Sequence, residues 1–599
     1  MKTPSPPLLP PRALHWSIAA STAAAISYAD RGTSAIAASC LLEELQWNES
    51  QLGQVQSAFF VGYALTQVFG GVLGGRNSLA TSTTDVTTVD NGSDDDYYDK
   101  YNERGIYTER KQLTIESNNE TATLSTQKRH QEGYRIILPL SLILTGTTTL
   151  LFPAAAMAGP NWAILDRFSL GLLEGVLLPA AMAGVSATTT AATSSSSTDA
   201  TLFATNAATA TTTSLETNKS IAGNKKDFLA TASAIVIAGC YLGSAWAYLS
   251  AWIIFSETSQ VHLAQWGLLQ QHNVDSFSVW PLLFYINGVL SLVITAMFSS
   301  EFDLSWRGWR NTSNDSIITK KYDENNADLS KSGMLMMKDA IAISKETLSS
   351  KSGRAIIAAQ IGQGALLYSI ASWGPLYLER IVGVSTTAAE TTTAAGISSS
   401  SSLVSATAVA ASIAASSLIL PQITQALIGM FIGFGADKLS TRIGSRLTRR
   451  SLQFISGVVP AMILVYLSLF AGNTSNSGDG ATSVLQSPAF LFGTAQTISA
   501  ISLGAVSVSH LEVATPSKSG AVYALGNVFA AISGSVTVTL FGVLLDKVGD
   551  QAATTSASDF SLPFQIVAFL SAAGATFYSL SIESDVEIGM LENNSRKSR

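Results

Sequence analysis

Residues 167–186 read RFSLGLLEGVLLPAAMAGVS, a run apolar enough to cross a bilayer that opens on Arg167 and carries Glu174 seven residues further in. A charged side chain at bilayer depth costs at least ~2.5–3.5 kcal/mol on insertion scales, so an interior or water-lined position is favoured over a lipid-facing one. Seven residues turn an α-helix by about 700°, roughly 20° short of two turns, so both groups share one face at depths ~10 Å apart. The stretch therefore reads as a membrane helix with a charged inner face.

The rest of the chain has the same character. Of 599 residues, 47% are hydrophobic and only 13% charged, about half the charged share of a soluble domain. A net charge of -7, with basic residues confined to short clusters, argues against a nucleic-acid surface. Cys40 and Cys240 both lie in or beside apolar runs, which gives neither a disulfide framework nor a metal cluster.

About twelve apolar segments approach the ~20 residues needed to span ~30 Å of hydrocarbon. They fall at roughly 14–38, 52–75, 134–158, 162–187, 229–255, 279–299, 355–378, 411–435, 452–471, 488–510, 519–545 and 562–581. The first carries Asp30 and Arg31 and has little basic flank, unlike a cleaved signal segment. An all-α membrane protein of twelve transmembrane helices follows as the expected fold. The loop at 300–354 divides the spans six and six, predicting an N-terminal bundle over 1–299, a cytoplasmic linker over 300–354 and a C-terminal bundle over 355–599.

Alternate loops set the orientation. Nine Lys and Arg residues lie in 300–354 and five in 436–451, whereas 39–51, 256–278 and 472–487 contain none. The positive-inside rule then puts both termini in the cytoplasm. Sequons at Asn48 and Asn473 fall outside on this assignment, those at Asn91, Asn119, Asn218 and Asn311 inside, and only Asn473 has a loop long enough to be an acceptor. Two insertions read as disordered, the polar 77–131 and the Ser/Thr/Ala-rich 187–225, and a third Ser/Thr-rich tract, STTAAETTTAAGISSSSS at 385–402, is expected outside between the seventh and eighth helices.

Six motifs in order carry a family resemblance: QSAFFVGYALTQVFGGVLG at 56–74; Tyr28-Ala29-Asp30-Arg31 with Ser34 and Ala37; Arg167 with Gly171, Glu174-Gly175-Val176 and Pro179; Trp373-Gly374-Pro375-Leu376-Tyr377; Gly435-Ala436-Asp437 followed by Arg449-Arg450; and His510-Leu511-Glu512-Val513-Ala514 with Pro516, Gly520 and Gly526-Asn527. Together they resemble the organic-anion and phosphate branch of the major facilitator superfamily, the solute-carrier group that includes vesicular glutamate, sialic-acid and sodium/phosphate transporters. The resemblance implies a twelve-helix secondary transporter of an anion, inorganic phosphate or a small organic carboxylate. It also implies coupling to sodium or protons, no bound cofactor, a monomeric unit, and residence in the plasma membrane or an endomembrane. Arg31, Arg167, Glu174, Tyr63 and Tyr377 become the expected substrate-binding residues, with Glu174 also the coupling group. The chain departs from the superfamily where Gly75 replaces the usual Asp before Arg76, and in lacking the Pro-x-x-Glu-Arg element after the fourth helix.

Read from the residues alone, several positions keep a plainer alternative. Arg167 near a helix start suits snorkelling or a charge lock. Adjacent residues point about 100° apart, so Asp30 and Arg31 cannot both face one partner. His510 and Glu512 read as solvated charges at a helix end, and Trp373 and Tyr377 as interfacial aromatics. Gly70, Gly71, Gly74, Gly429 and Gly433 read as close-packing sites. The five histidines are scattered without catalytic spacing and no GxxxxGK[ST] loop is present, which argues against a membrane enzyme or a nucleotide-driven pump. A facilitator of a neutral solute and a non-transporting member remain as rivals.

Overall fold

The computed structural model describes residues 11–79, 133–179, 181, 214–256, 259, 270–273, 276–297, 338, 341–393, 406–470, 487–514, 516–549 and 557–583. Its long elements are α1 (Pro11–Ile36), the short α2 (Ala38–Glu44), α3 (Glu49–Leu79), α4 (Gly133–Ala158), α5 (Pro160–Glu174), α6 (Ser214–Phe255) and α7 (Trp280–Met297). They continue with α8 (Lys351–Thr393), α9 (Ala406–Ile443), α10 (Ser445–Phe470), α11 (Pro488–Ser499), α12 (Val506–Val513), α13 (Pro516–Gly549) and α14 (Ser561–Ser581). A hairpin of β1 (Gln270–Asn273) and β2 (Ser276–Ser278) sits between α6 and α7. With α1/α2 and α11/α12 each counted as one pass, the helices form twelve passes, the all-α architecture expected from hydropathy.

Nine passes among the described residues are long and apolar enough to cross a membrane by composition. The three that fall short are α1, α3 and α5. These are the helices that bring Arg31, Tyr63 and Glu174 together; α1 carries Asp30 and Arg31, and α5 is described over 15 residues only. Exposed Leu151, Val289, Leu420, Phe431, Met462, Phe569 and Leu580 give the other passes a lipid-facing surface.

Helix contacts arrange the passes in two groups. In the first, α1 packs on α6, α3 on α5, and α4 on α7; in the second, α8 packs on α13 and α14, and α10 on α14. The groups meet through α3 against α13 and α6 against α9.

Glycine makes the tightest of these contacts. A Cβ at Gly171 would collide with the Phe59 carbonyl oxygen, one at Gly62 would lie 2.9 Å from Leu172 N, and one at Gly175 2.6 Å from Tyr63 O. The α3 and α5 backbones therefore touch. Gly239 and Gly243 of α6 likewise face the Ser21 and Ala25 carbonyls of α1. Close approach of this kind replaces the hydrophobic drive that lipid cannot supply between helices. Gly433, expected in this role, has nothing within 4 Å of its Cβ direction, because that turn of α9 is exposed; side chains at 70, 71 and 74 lie outside the described residues.

Several boundaries move. The insertion expected over 187–225 overlaps α6, which is helical from Ser214, and the tract expected from 385 is helical to Thr393 within α8. Both gains, SLETNKSIAGNK at 214–225 and STTAAETTT at 385–393, extend long helices, where an established helix propagates more easily than a new one nucleates. Residues 77–79 are likewise helical, ending α3; 80–131 and 187–213 lie outside the described residues. The loop expected at 436–451 shrinks to one residue, Gly444 at φ 88°, between α9 and α10. The linker expected to run to 354 carries helix over 341–349 and gives way to α8 at Lys351.

The tenth pass breaks at a 3-10 turn, Ala500–Gly504, between α11 and α12. Backbone groups freed at membrane depth need partners. Arg449 Nη1 donates to Gly504 O at 2.7 Å, and Val506 N donates to Gln453 Oε1 at 3.3 Å, both from α10.

Replacing Gly171 by Val should force α3 and α5 apart and abolish the monodisperse peak in size-exclusion chromatography, whereas Gly433→Ala should leave it unchanged. Equal behaviour of the two variants would refute this packing account.

Candidate functional site

Arg31 lies in the C-terminal part of α1, and the helix period places Ser27 and Tyr28 on its own face, four and three residues earlier. Its Nε donates to Glu174 Oε2 of α5 at 3.2 Å. The same carboxylate oxygen accepts a short hydrogen bond from Ser27 Oγ, and Arg31 Nη2 reaches Ser27 Oγ at 3.4 Å. Glu174 is fully enclosed while the Arg31 side chain keeps 14% exposure. One face of the pair is dry and the other reachable.

Aromatic rings complete the enclosure. The Arg31 guanidinium carbon stands 4.3 Å from the Tyr28 ring centroid, 4.5 Å from that of Phe59 and 4.7 Å from that of Tyr63. Each such contact contributes about 0.5–2 kcal/mol, more as water is excluded. Phe59 stacks on Tyr63 and meets Phe60 edge-on, and Phe60 packs against Tyr368 of α8, with centroids 4.3 Å apart. The second helix group thus reaches the ring set that holds the arginine. Arg31 Nη1 and Glu174 Oε1 are both buried atoms without a hydrogen-bond partner. An N–H on one side and a carboxylate oxygen on the other are left to engage something else.

Arg167 occupies a different place. It is buried, its guanidinium carbon 3.9 Å above Phe152 and 5.3 Å from Phe284, with Nε and Nη2 unpartnered. Asp30, Asp166 and Glu174 are its acidic neighbours. Arg167 and Glu174 do share the interior side of α5, as the seven-residue spacing requires, yet the acid pairs with Arg31 of α1 instead. Asp30 points away from Arg31 toward Thr149 and Arg167, as adjacent helix positions must, and both its carboxylate oxygens are buried without a hydrogen bond. Beside it, Asn287 donates to Thr33 Oγ1 at 2.8 Å and accepts from Trp246 at 3.0 Å, tying α7 and α6 to α1.

Tyr63 is brought to the site; Tyr377 is not among the contacts of Arg31. The Tyr377 ring packs with Phe492, Phe560 and Phe564, and its hydroxyl is unpartnered. The reading of Trp373 and Tyr377 as interfacial aromatics is corrected: they are 0% and 1% exposed, because α13 and α14 cover that face of α8. Trp373 Nε1 donates to Val538 O at 3.1 Å. Glu512 is also no free solvated charge, since Arg449 Nη2 pairs with it at 2.9 Å and Ser445 donates to it at 2.8 Å. His510 stands with its ring 4.8 Å from Tyr523 and its Nδ1 buried. Sequence reasoning did not single out Ser27, Phe59 or Tyr368. The first two lie one turn from Arg31 and Tyr63 and were open to a periodicity argument; Tyr368 had no local signal.

No protein-family model and no curated protein sequence matches the chain. Among solved structures, a bacterial homologue of the human lysosomal transporter Spinster, inward-facing and occupied, is similar with a TM-score of 0.52 at 12% identity, over 96% of this chain and 97% of that one. The inward-facing, unoccupied form of that homologue gives 0.52 at 13% identity over 95% and 97%. The inward-open xylose transporter XylE from E. coli gives 0.48 at 10% identity over 95% and 96%. The chain shares the fold of that Spinster homologue, and its long apolar helices make it an integral, multi-pass membrane protein.

Removing Arg31 leaves a buried carboxylate uncompensated, a change that costs about 3–5 kcal/mol. Arg31→Ala should therefore lower the unfolding temperature in detergent more than the double variant Arg31→Ala/Glu174→Gln. Equal melting of the two would show that the pair is not the stabilising unit.

Proposed function

We propose that the chain is a secondary transporter that moves an anion, phosphate or a small organic carboxylate, by alternating access of two six-helix halves. The observation that carries this reading is Arg31: a side chain with 14% exposure at the meeting point of α1, α3 and α5, its buried Nη1 without a hydrogen-bond partner and a fixed acid beside it. A guanidinium fork suits carboxylate and phosphate oxygens, and the low-dielectric surroundings strengthen the attraction.

Glu174 neutralises Arg31 in the empty site, so an anion must compete with it. Protonation of Glu174, or a sodium ion at its free Oε1, releases Arg31 toward cargo and couples the two fluxes. Tyr63 contributes its ring and hydroxyl to the cargo face. Arg167 acts on the buried acids Asp30 and Glu174 rather than on cargo, and Tyr377 belongs to the aromatic packing of the second half. The basic loops support an orientation with both termini cytoplasmic, which turns the α2 and β-hairpin end outward. A single chain is the working unit. A neutral-solute facilitator is the second reading, favoured by the neutral total charge of the Arg31–Glu174 pair.

Uptake of labelled phosphate, glutamate, sialic acid and urate into proteoliposomes, with and without a sodium gradient, tests the proposal. Arg31→Ala should lower uptake at least roughly thirtyfold, the scale of truncating one member of a buried charge pair. Glu174→Gln should abolish the dependence on the driving ion while retaining exchange. Uptake that survives Arg31→Ala, or that is competed by sugars and not by anions, would overturn it.

A further inference from the structure

Arg380, near the hairpin end of α8, donates through Nη2 to Glu49 Oε1 at 2.8 Å, joining the second helix group to the first residue of α3. Both side chains are mostly enclosed, 13% and 15% exposed. The seat is rigid on each side. Asn48 Oδ1 accepts from Gln51 N at 2.7 Å and Gln51 Oε1 accepts from Asn48 N at 3.0 Å, a reciprocal cap that fixes the start of α3. The Arg380 guanidinium carbon lies 5.3 Å from the Phe560 ring, and its Nη1 is buried.

The ion pair stands where the two groups come closest. A Cβ at Gly53 would lie 3.1 Å from Val538 O, 3.3 Å from Trp373 and 3.4 Å from Gly542 Cα, and one at Gly542 would strike the Glu49 carbonyl. A further cross-group link, Ser535 Oγ to Ser57 O at 3.3 Å, runs along the same α3–α13 contact, and Ser412 Oγ donates to Trp252 O at 2.9 Å in the separate α6–α9 contact. Arg380–Glu49 bridges the two groups, whereas Arg31–Glu174 lies within the first and Lys351–Glu583, Arg446–Glu583, Arg449–Glu512 and Lys518–Glu346 lie within the second or its flanking segments.

We propose that Arg380–Glu49 is the outer latch of the transport cycle, holding α3 against α8 and α13 while the outer mouth is shut and parting when that mouth opens. This rests on the alternating-access reading and on the orientation given above. A partly desolvated pair suits such a device. It stabilises the closed contact, and on opening each partner regains water instead of being stranded in a dry interior, so the closed state is favoured without being locked. Truncation of either partner weakens the closed state selectively, because the pair exists in that state alone.

The test uses Ser57→Cys as a reporter buried under Ser535, with Cys40 and Cys240 replaced by Ala, in sealed vesicles treated from the α2 side with a membrane-impermeant maleimide. Glu49→Gln and Arg380→Gln should each raise the labelling rate about fivefold, the effect of losing roughly 1 kcal/mol from the closed state. The charge-swapped Glu49→Arg/Arg380→Glu should return it toward the parent rate. Labelling unchanged in both single variants would overturn the latch, as would a rise that the swap leaves in place while the protein stays monodisperse. Labelling does not require cargo: a responsive latch without uptake of any test anion would sink the anion assignment alone, and normal uptake with unresponsive labelling would sink the latch alone.

Discussion

The Arg31–Glu174 pair is the interaction on which the centre of the molecule depends. An unpaired charge inside a helix bundle is expensive enough to expel the helix or change its protonation, so each member makes the other tolerable. That mutual dependence lets α1 and α5 turn Arg31 and Glu174 toward each other and away from their exposed faces at Ile18, Trp162 and Leu165. The pair joins the two helices and Ser27 orients the carboxylate, while the rings of Tyr28, Phe59 and Tyr63 cover the cation without neutralising it. Each partner still has one polar atom unengaged. A structure that merely needed to bury an ion pair would have satisfied both.

Glycine makes this geometry reachable. The α3 and α5 backbones meet at Gly62, Gly171 and Gly175, and α1 meets α6 at Gly239 and Gly243. With an ordinary side chain at any of these positions the helix axes would separate, and the short Ser27 and Glu174 side chains could not span the gap. The same device recurs between the halves, where Gly53 and Gly542 let α3 and α13 touch beside Arg380 and Glu49. Backbone contact sets distances in this molecule, and the charges use them.

The two halves treat their freed backbone and buried charge differently. In the second half, the broken tenth pass is mended by Arg449 and Gln453, and Arg449 is in turn held by Glu512. Those groups are engaged by protein and read as structural. In the first half, Arg167, Asp30, Arg31 and Glu174 all retain unpartnered atoms. Unsatisfied polarity is concentrated in one bundle, next to the ring of Tyr368 that reaches in from the other.

By itself the sequence determined a membrane protein of twelve passes, because a ~20-residue apolar period is a local property that needs no neighbour to be read. It also marked Arg31, Arg167 and Glu174 as interior, since charge at membrane depth has few other places to go. Helix ends were less legible: the polar extension of α6 and the Ala/Thr-rich extension of α8 carry no sustained apolar signal, and the one-residue break at Gly444 was hidden inside a charged run. Partnership was decided by tertiary structure alone. Arg31 meets an acid 143 residues away and Arg380 one 331 residues away, while Arg167, seven residues from Glu174, leaves it to Arg31 and packs on Phe152 instead. Helical periodicity fixes which face a side chain occupies, but which other face it meets is set by where backbones can touch, and that is a property of pairs of helices.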